Sequence, residues 1–300
     1  NPNRPDCGYP EKNLCGAGVT FKLIHLLIER SSFSSSKKAA LLDSFLKLVA
    51  VATIADIVPL TGENRVIVRR GLAGFDRIRN AGLRELIRVA GLADGIAPSA
   101  HQVAFRLAPR INAAGRMANA RDVIDLFLTD DENRAKELAA QLDALNHERQ
   151  EAEAAIIEQI LRKCEGVPVS DEVAALVCAE PGWHLGVVGI LASRLVERFA
   201  RPVFVLSNAA EEGYFSGSGR SIPDFHLLEA LESMAELFQK FGGHRQAAGL
   251  TISSSDIETF RRRFNDYARQ CLTPDDMRPQ YQADADASLA DLTEIAVTQI

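Results

Sequence analysis

Apolar positions recur at helical spacing through the first half of this chain and change character in the second. Between residues 13 and 128 the pattern predicts a succession of helices. The segment Val19-Thr20-Phe21-Lys22-Leu23-Ile24-His25-Leu26-Leu27-Ile28 is densely apolar and reads as a buried helix. Residues 38–51 repeat the pattern and run into Ala52-Thr53-Ile54-Ala55-Asp56-Ile57-Val58-Pro59-Leu60, where Pro59 stops any helix. Further helices are predicted near 63–74, 82–90 and 99–107. Thr129-Asp130-Asp131-Glu132 carries an N-cap candidate and first-turn acids. Beyond it Leu138, Leu142, Leu145, Ala152, Ile156 and Ile160 form a narrow stripe, predicting a long helix that bridges two domains and ends at Gly166-Val167-Pro168.

Residues 173–272 read as strands alternating with helices, the signature of a compact α/β domain. Strands are predicted at 173–179, 202–206, 214–218 and 249–252, with helices at 186–200, 225–238 and 256–271. Phe241-Gly242-Gly243-His244 falls between the second of these helices and a strand, and reads there as a turn. Something new begins after Pro274, and Ile300 falls in an apparent strand.

Composition adds limits. The chain has 300 residues, 47% hydrophobic and 25% charged, ordinary values for a globular protein. Its net charge of −6 provides no global positive field, so a polyanionic partner has to be held by local arginine clusters. Cysteines 7, 15, 164, 178 and 271 are odd in number and match no common zinc knuckle, which predicts free thiols in a reducing cytoplasm. No apolar run reaches membrane-spanning length. The first residue is Asn1 in a loop rich in Pro and Asn, which reads as a start inside a larger protein.

Several short motifs carry chemistry. Asp56 interrupts an apolar segment; it reads either as a carboxylate ligand for Mg²⁺ or Mn²⁺ or as a cap at a helix end. Arg110-Ile111-Asn112-Ala113-Ala114-Gly115-Arg116 sets two arginines around an amide and small residues. Pro109 and Gly115 predict an irregular loop, suited to gripping phosphate or simply to joining elements. Gly217-Ser218-Gly219-Arg220-Ser221 can surround a phosphate or form a glycine-rich hairpin. Gly182-Trp183-His184-Leu185-Gly186 leads into a helix N-terminus, which favours anions. Its Trp183 could stack on a base, but more often such a residue anchors packing. In Phe241-Gly242-Gly243-His244 an imidazole stands beside bare backbone, with Arg245 following.

Taken in order with Leu14-Cys15-Gly16-Ala17-Gly18-Val19, these motifs resemble the RecJ family of single-strand-specific exonucleases, within the DHH phosphoesterase superfamily. The resemblance implies an α/β protein made of four parts. Residues 1–128 would be the mostly helical C-terminal part of a DHH catalytic domain, and 129–166 a bridging helix. Residues 167–272 would be a small DHH-associated substrate-binding domain with a mixed sheet, and 273–300 the start of an OB-fold. It implies 5′-to-3′ hydrolysis of single-stranded DNA by two Mn²⁺ or Mg²⁺ ions, in recombination and repair. By the same resemblance Asp56 is a metal ligand and catalytic, and His244 faces the scissile phosphate. Arg110, Asn112 and Arg116 line the DNA path, while Ser218, Arg220, Ser221, Gly242 and Gly243 hold phosphate. Helicases or single-strand-binding proteins are the implied partners, with no membrane.

The family's early aspartate motif and its Asp-His-His motif are absent from this sequence, and the expectation is that they lie upstream of Asn1. One carboxylate does not hold two cations, so the chain by itself is expected not to digest DNA, and its apolar helices, such as 19–28, to be partly uncovered. Three alternatives stay open: a superfamily phosphodiesterase acting on short oligonucleotides or a cyclic dinucleotide, a non-catalytic scaffold for single-stranded DNA, and an α/β domain with no nucleic-acid role.

Overall fold

A computed structural model of the chain describes residues 1–93, 95–164, 172–279, 283 and 285–299. It divides into two compact units, Asn1–Ala154 and Ala155–Ile300.

The first unit is helical. Its elements are α1 (Gly16–Arg30), α2 (Ser35–Ala55), α3 (Gly62–Ala73), α4 (Ala81–Val89), the single turn α5 (Ala100–Gln102), α6 (Ala108–Met117), α7 (Arg121–Leu128) and the start of α8 (Glu132–Cys164). Cys15 Sγ caps α1, and Ser34 and Asn80 accept from the first turns of α2 and α4. Val51, Ile54, Leu83, Leu86, Val103, Leu107, Leu126, Leu138 and Leu142 form the main core. The dense apolar pattern of 19–28 does make a helix, but only Phe21 and Ile28 of its large side chains are buried. Leu23, Leu26 and Leu27 are 59%, 48% and 60% exposed.

The 110–116 stretch is helix, not the irregular loop expected from Pro109 and Gly115. Pro109 lacks an N–H and its ring crowds the carbonyl four residues back, so a regular helix is strained there. The chain absorbs this with one π turn, Val103–Leu107, in which Ala108 N–H donates to Val103 O. The helix then continues through Met117.

The second unit holds β1 (Leu176–Ala179), α9 (Leu185–Phe199), β2 (Val203–Asn208), β3 (Tyr214–Arg220), α10 (Leu227–Glu232), β4 (Phe238–Gly243), β5 (Ala247–Ser253) and α11 (Ile257–Cys271). The strands form one mixed sheet in the order β1-β2-β3-β5-β4, with β1 parallel to β2 and the other pairs antiparallel. One face is apolar. Phe204, Leu206, Leu250 and Ile252 pack on Phe225, Phe260 and Phe264; Phe204 meets Phe260 and Phe264 edge to face, as Phe225 meets Phe264. On the other face α9 covers β2 and β3.

Two local expectations give way here. The helix predicted over 225–238 ends at Glu232, and β4 begins at Phe238. The Phe241-Gly242-Gly243 turn is itself strand, and the real turn is 244–246. Two adjacent glycines have poor strand propensity, and only pairing with β5 makes them extended. The bulge between Phe238 and Lys240 keeps Phe238 and Phe241 both on the core face. At the C-terminal end, where a strand was expected, the described residues contain a helix, α12 (Glu294–Gln299); Ile300 lies outside them.

Candidate nucleic-acid interface

Strand alternation decides what the Gly217-to-Ser221 motif presents. Direct antiparallel partners share a face, so Ser216, Ser218 and Arg220 of β3 lie in rows with Thr251, Gly249 and Ala247 of β5. On β4 Lys240 extends the first row and Gly242 the second. This polar face is the one α9 covers only over β2 and β3. Gly217 and Gly219 turn the other way, into the core. A Cβ on Gly219 would lie 2.5 Å from the Phe204 ring, so their role is close packing rather than ligand approach.

Ser218 and Arg220 converge over α9. A Cβ built on Gly189 would stand 3.1 Å from Arg220 Nη2 and 3.6 Å from Ser218 Oγ. The bare Gly189 is therefore what lets a guanidinium and a hydroxyl lie side by side against the helix. Arg220 Nη1 also donates to Gly219 O at 2.8 Å, which fixes the guanidinium plane. Among the described residues nothing hydrogen-bonds the Ser218 hydroxyl. A planar cationic donor beside such a hydroxyl suits two oxygens of one phosphate. Gly242 leaves open space above its Cα.

The other candidates have partners of their own. Ser221 Oγ donates to Phe225 O at 2.9 Å and closes a turn. Gly243, at φ +152°, faces the core, where a Cβ would collide with Ala247 O and Ala248. His244 N–H donates to Ala247 O, and Gln246 N–H donates to His244 Nδ1 at 3.3 Å. His244 and Gln246 thus spend their backbone N–H groups within the turn, and the exposed imidazole offers its Nε2 edge. Arg245 is fastened to Pro223 O. Trp183 is buried, its indole donating to Gln159 Oε1 at 2.9 Å, which is the packing role. Gly182 and Trp183 spend their N–H groups on Asn208 and Ser207, and Gly186 donates to His184 Nδ1.

In the first unit Asp56 is the C-cap residue of α2, the helix-end position that was one of its two readings, and it is exposed. Ile57 follows at φ +56°, a conformation costly for a β-branched residue, and is 88% exposed. The turn thus projects Asp56 and Ile57 into solvent. No cluster of three or more His, Cys, Asp or Glu placed to hold a metal ion occurs among the described residues. The 110–116 helix separates its polar residues. Arg110 turns inward, donating to Asp143 Oδ1 at 2.8 Å and to Arg106 O at 2.6 Å. Asn112 and Arg116, four residues apart, share the exposed face.

The displaced titrations of this unit lie elsewhere. Lys22 and Tyr9 both bind the Glu63 carboxylate, at 2.8 and 2.7 Å. The lysine's hydrogen bond is the main cause that holds Glu63 below the usual carboxylate range, and the same bond raises Lys22. Tyr9 is raised chiefly by burial.

The motif reading passed over Gly189, Ser216, Gly249, Thr251 and Lys240. The alternation along 214–220 was the available signal, since it places every second residue on one face.

Comparison with known proteins adds a family. Residues 171–270 match the DHHA1 domain. The chain is 39% identical over 300 residues to the single-stranded-DNA-specific exonuclease RecJ of Bacillus subtilis, covering 100% of this chain and 36% of that protein. It superposes on the structure of RecJ in complex with Mg²⁺ from Thermus thermophilus with a TM-score of 0.75 and 38% identity, covering 89% of this chain and 39% of that one. An exonuclease RecJ bound to manganese gives a TM-score of 0.75 at 36% identity, covering 97% of this chain and 67% of that one. The chain thus spans little more than a third of the Bacillus subtilis protein. No helix among the described residues is long and apolar enough to cross a membrane.

Proposed function

Because the chain belongs to the RecJ family over the stretch it spans, we propose that it is the substrate-holding part of a single-stranded-DNA exonuclease that hydrolyses phosphodiesters from the 5′ end. The observation that carries this reading is the half-buried Ser218–Arg220 pair meeting over Gly189 on the polar face of the sheet. Arg220 would bind two oxygens of a terminal or adjacent phosphate, and Ser218 would donate to a third. His244, on the hairpin of the same sheet, would orient or protonate an oxygen at the reacting phosphate through Nε2. Asn112 and Arg116 would hold the strand farther along, while Arg110 steadies their helix through Asp143.

Asp56 fits a divalent-cation site as one hard oxygen donor: it is exposed, sits at a strained turn, and has no cationic side chain paired with it among the described residues. It is one donor and not a complete set. Mn²⁺ or Mg²⁺, bound there with further ligands, would supply activation of water and neutralisation of phosphate charge. The recombination and repair setting, and helicases or single-strand-binding proteins as partners, are part of the same proposal.

The test is binding of labelled single strands that differ only in a 5′-phosphate or 5′-hydroxyl. The phosphorylated strand is expected to bind more tightly, and Arg220→Ala to erase the difference while the chain melts as before. Equal binding of the two strands, with no effect of Arg220→Ala, would refute the phosphate assignment.

A further inference from the structure

Phe105 lies on the π turn of the first unit with its side chain 68% exposed, while Val103 and Leu107 on either side are fully buried. Its backbone is therefore held by the core, and its ring stands out from it. The ring packs on the His101 imidazole, with centroids 4.5 Å apart and planes inclined by 37°. Arg106, next along, is tied back to Gly91 O at 2.8 Å and does not cover the ring. Down the same helical run, residues 101, 105, 109, 112 and 116 follow at spacings of four, four, three and four. His101, Phe105, Asn112 and Arg116 of this row are exposed. From Phe105 to Arg116 the helix rises roughly 16 Å, at about 1.5 Å per residue. That is room for two or three nucleotides of an extended strand.

We propose that the Phe105–His101 pair is a stacking platform for a base of single-stranded DNA whose backbone runs past Asn112 and Arg116. The inference rests on the single-strand reading of the function. An aromatic face takes any base, so the platform needs no particular sequence. His101 backs the ring and limits its rotation, so little side-chain freedom is lost on binding. Arg116 supplies the salt-dependent part of the affinity, and the ring supplies the salt-independent part.

Oligothymidylate is the probe. Phe105→Ala and Phe105→Leu are each expected to bind it about tenfold more weakly than the parent, with the salt dependence of binding unchanged. Leucine keeps apolar bulk and loses only the π face. Phe105→Trp is expected to restore affinity and to have its emission quenched by the strand; the native Trp183 is buried and supplies a constant background. A strand of abasic residues is expected to bind parent and Phe105→Ala alike. Thermal unfolding of each variant at the parent's temperature shows that the fold is intact. Parent-like binding by Phe105→Leu, or unquenched Phe105→Trp with salt-dependent binding intact, would overturn the platform alone. Absence of salt-dependent binding by the parent would overturn the platform and the single-strand reading together.

Discussion

Replacing Gly219 by alanine separates two uses of the Gly217–Arg220 segment, core packing and backbone approach to phosphate. The new Cβ would lie 2.5 Å from two atoms of the Phe204 ring and 2.8 Å from a third. Ordinary carbon contacts need about 3.5–4.0 Å, so the ring has to move by about 1 Å or more. It has nowhere to go: Phe204 is fully buried and edge to face with Phe260 at 5.4 Å and Phe264 at 5.3 Å. Overpacking of this kind costs about 1–3 kcal/mol, and a ring trapped between two others belongs near the middle of that range. At about 2–4 °C per kcal/mol for a unit of this size, the second unit should melt about 4–8 °C lower. In urea the midpoint should fall with the slope unchanged. Phe204→Leu removes the colliding ring edge, so the double variant should lose less than the sum of the single losses. The reasoning is refuted if Gly219→Ala melts like the parent, or if the two losses merely add. A variant that melts like the parent but binds phosphorylated strands poorly would return Gly219 to the phosphate site.

Further outcomes follow from the first unit. Arg110→Ala leaves the half-buried Asp143 without its main partner and should cost about 1–3 kcal/mol in thermal unfolding. Arg116→Ala should stay within about 0.5 kcal/mol of the parent and lower the salt slope of single-strand binding by about one; the reverse pattern would contradict the inward and outward assignments. Glu63, held low by Lys22, contributes stability that is present above its unfolded pKa and lost as pH falls through the lower folded value. Lys22 and Tyr9, both raised, contribute stability that is present below their unfolded values and lost as pH rises through the folded ones. Glu63→Gln should therefore flatten the acid limb of the melting curve below about pH 4.5, and an unchanged acid limb would count against the network.

Much of the architecture was legible in local pattern. The helices near 63–74 and 82–90, the long stripe after Thr129, and the strands and helices predicted after 173, apart from the 225–238 helix and the missed β4, match observed elements within a few residues. These rest on periodicity and capping, which neighbouring residues determine among themselves. Where local signals conflicted with distant partners, the local reading failed. Pro109 signalled a break, but burial of Val103 and Leu107 kept the run helical at the cost of a π turn. The glycines at 242 and 243 signalled a turn, but β5 recruited them as strand.

For the candidate site, the order of residues already settles which chemical groups are available: Asp56, the two arginines of 110–116, Ser218, Arg220 and His244. Their succession along the chain also points to the family. Which of them face outward is a matter of packing. Arg110 and Arg116 are the same residue type six positions apart, yet one is spent on Asp143 and the other is exposed. Gly219 and Gly189 are both bare, yet one makes room for a core ring and the other for Arg220 and Ser218. The physical reason is that a side chain's free valences depend on neighbours distant in sequence. Hydrogen-bond partners and close contacts of that kind exist only once helices and strands have packed.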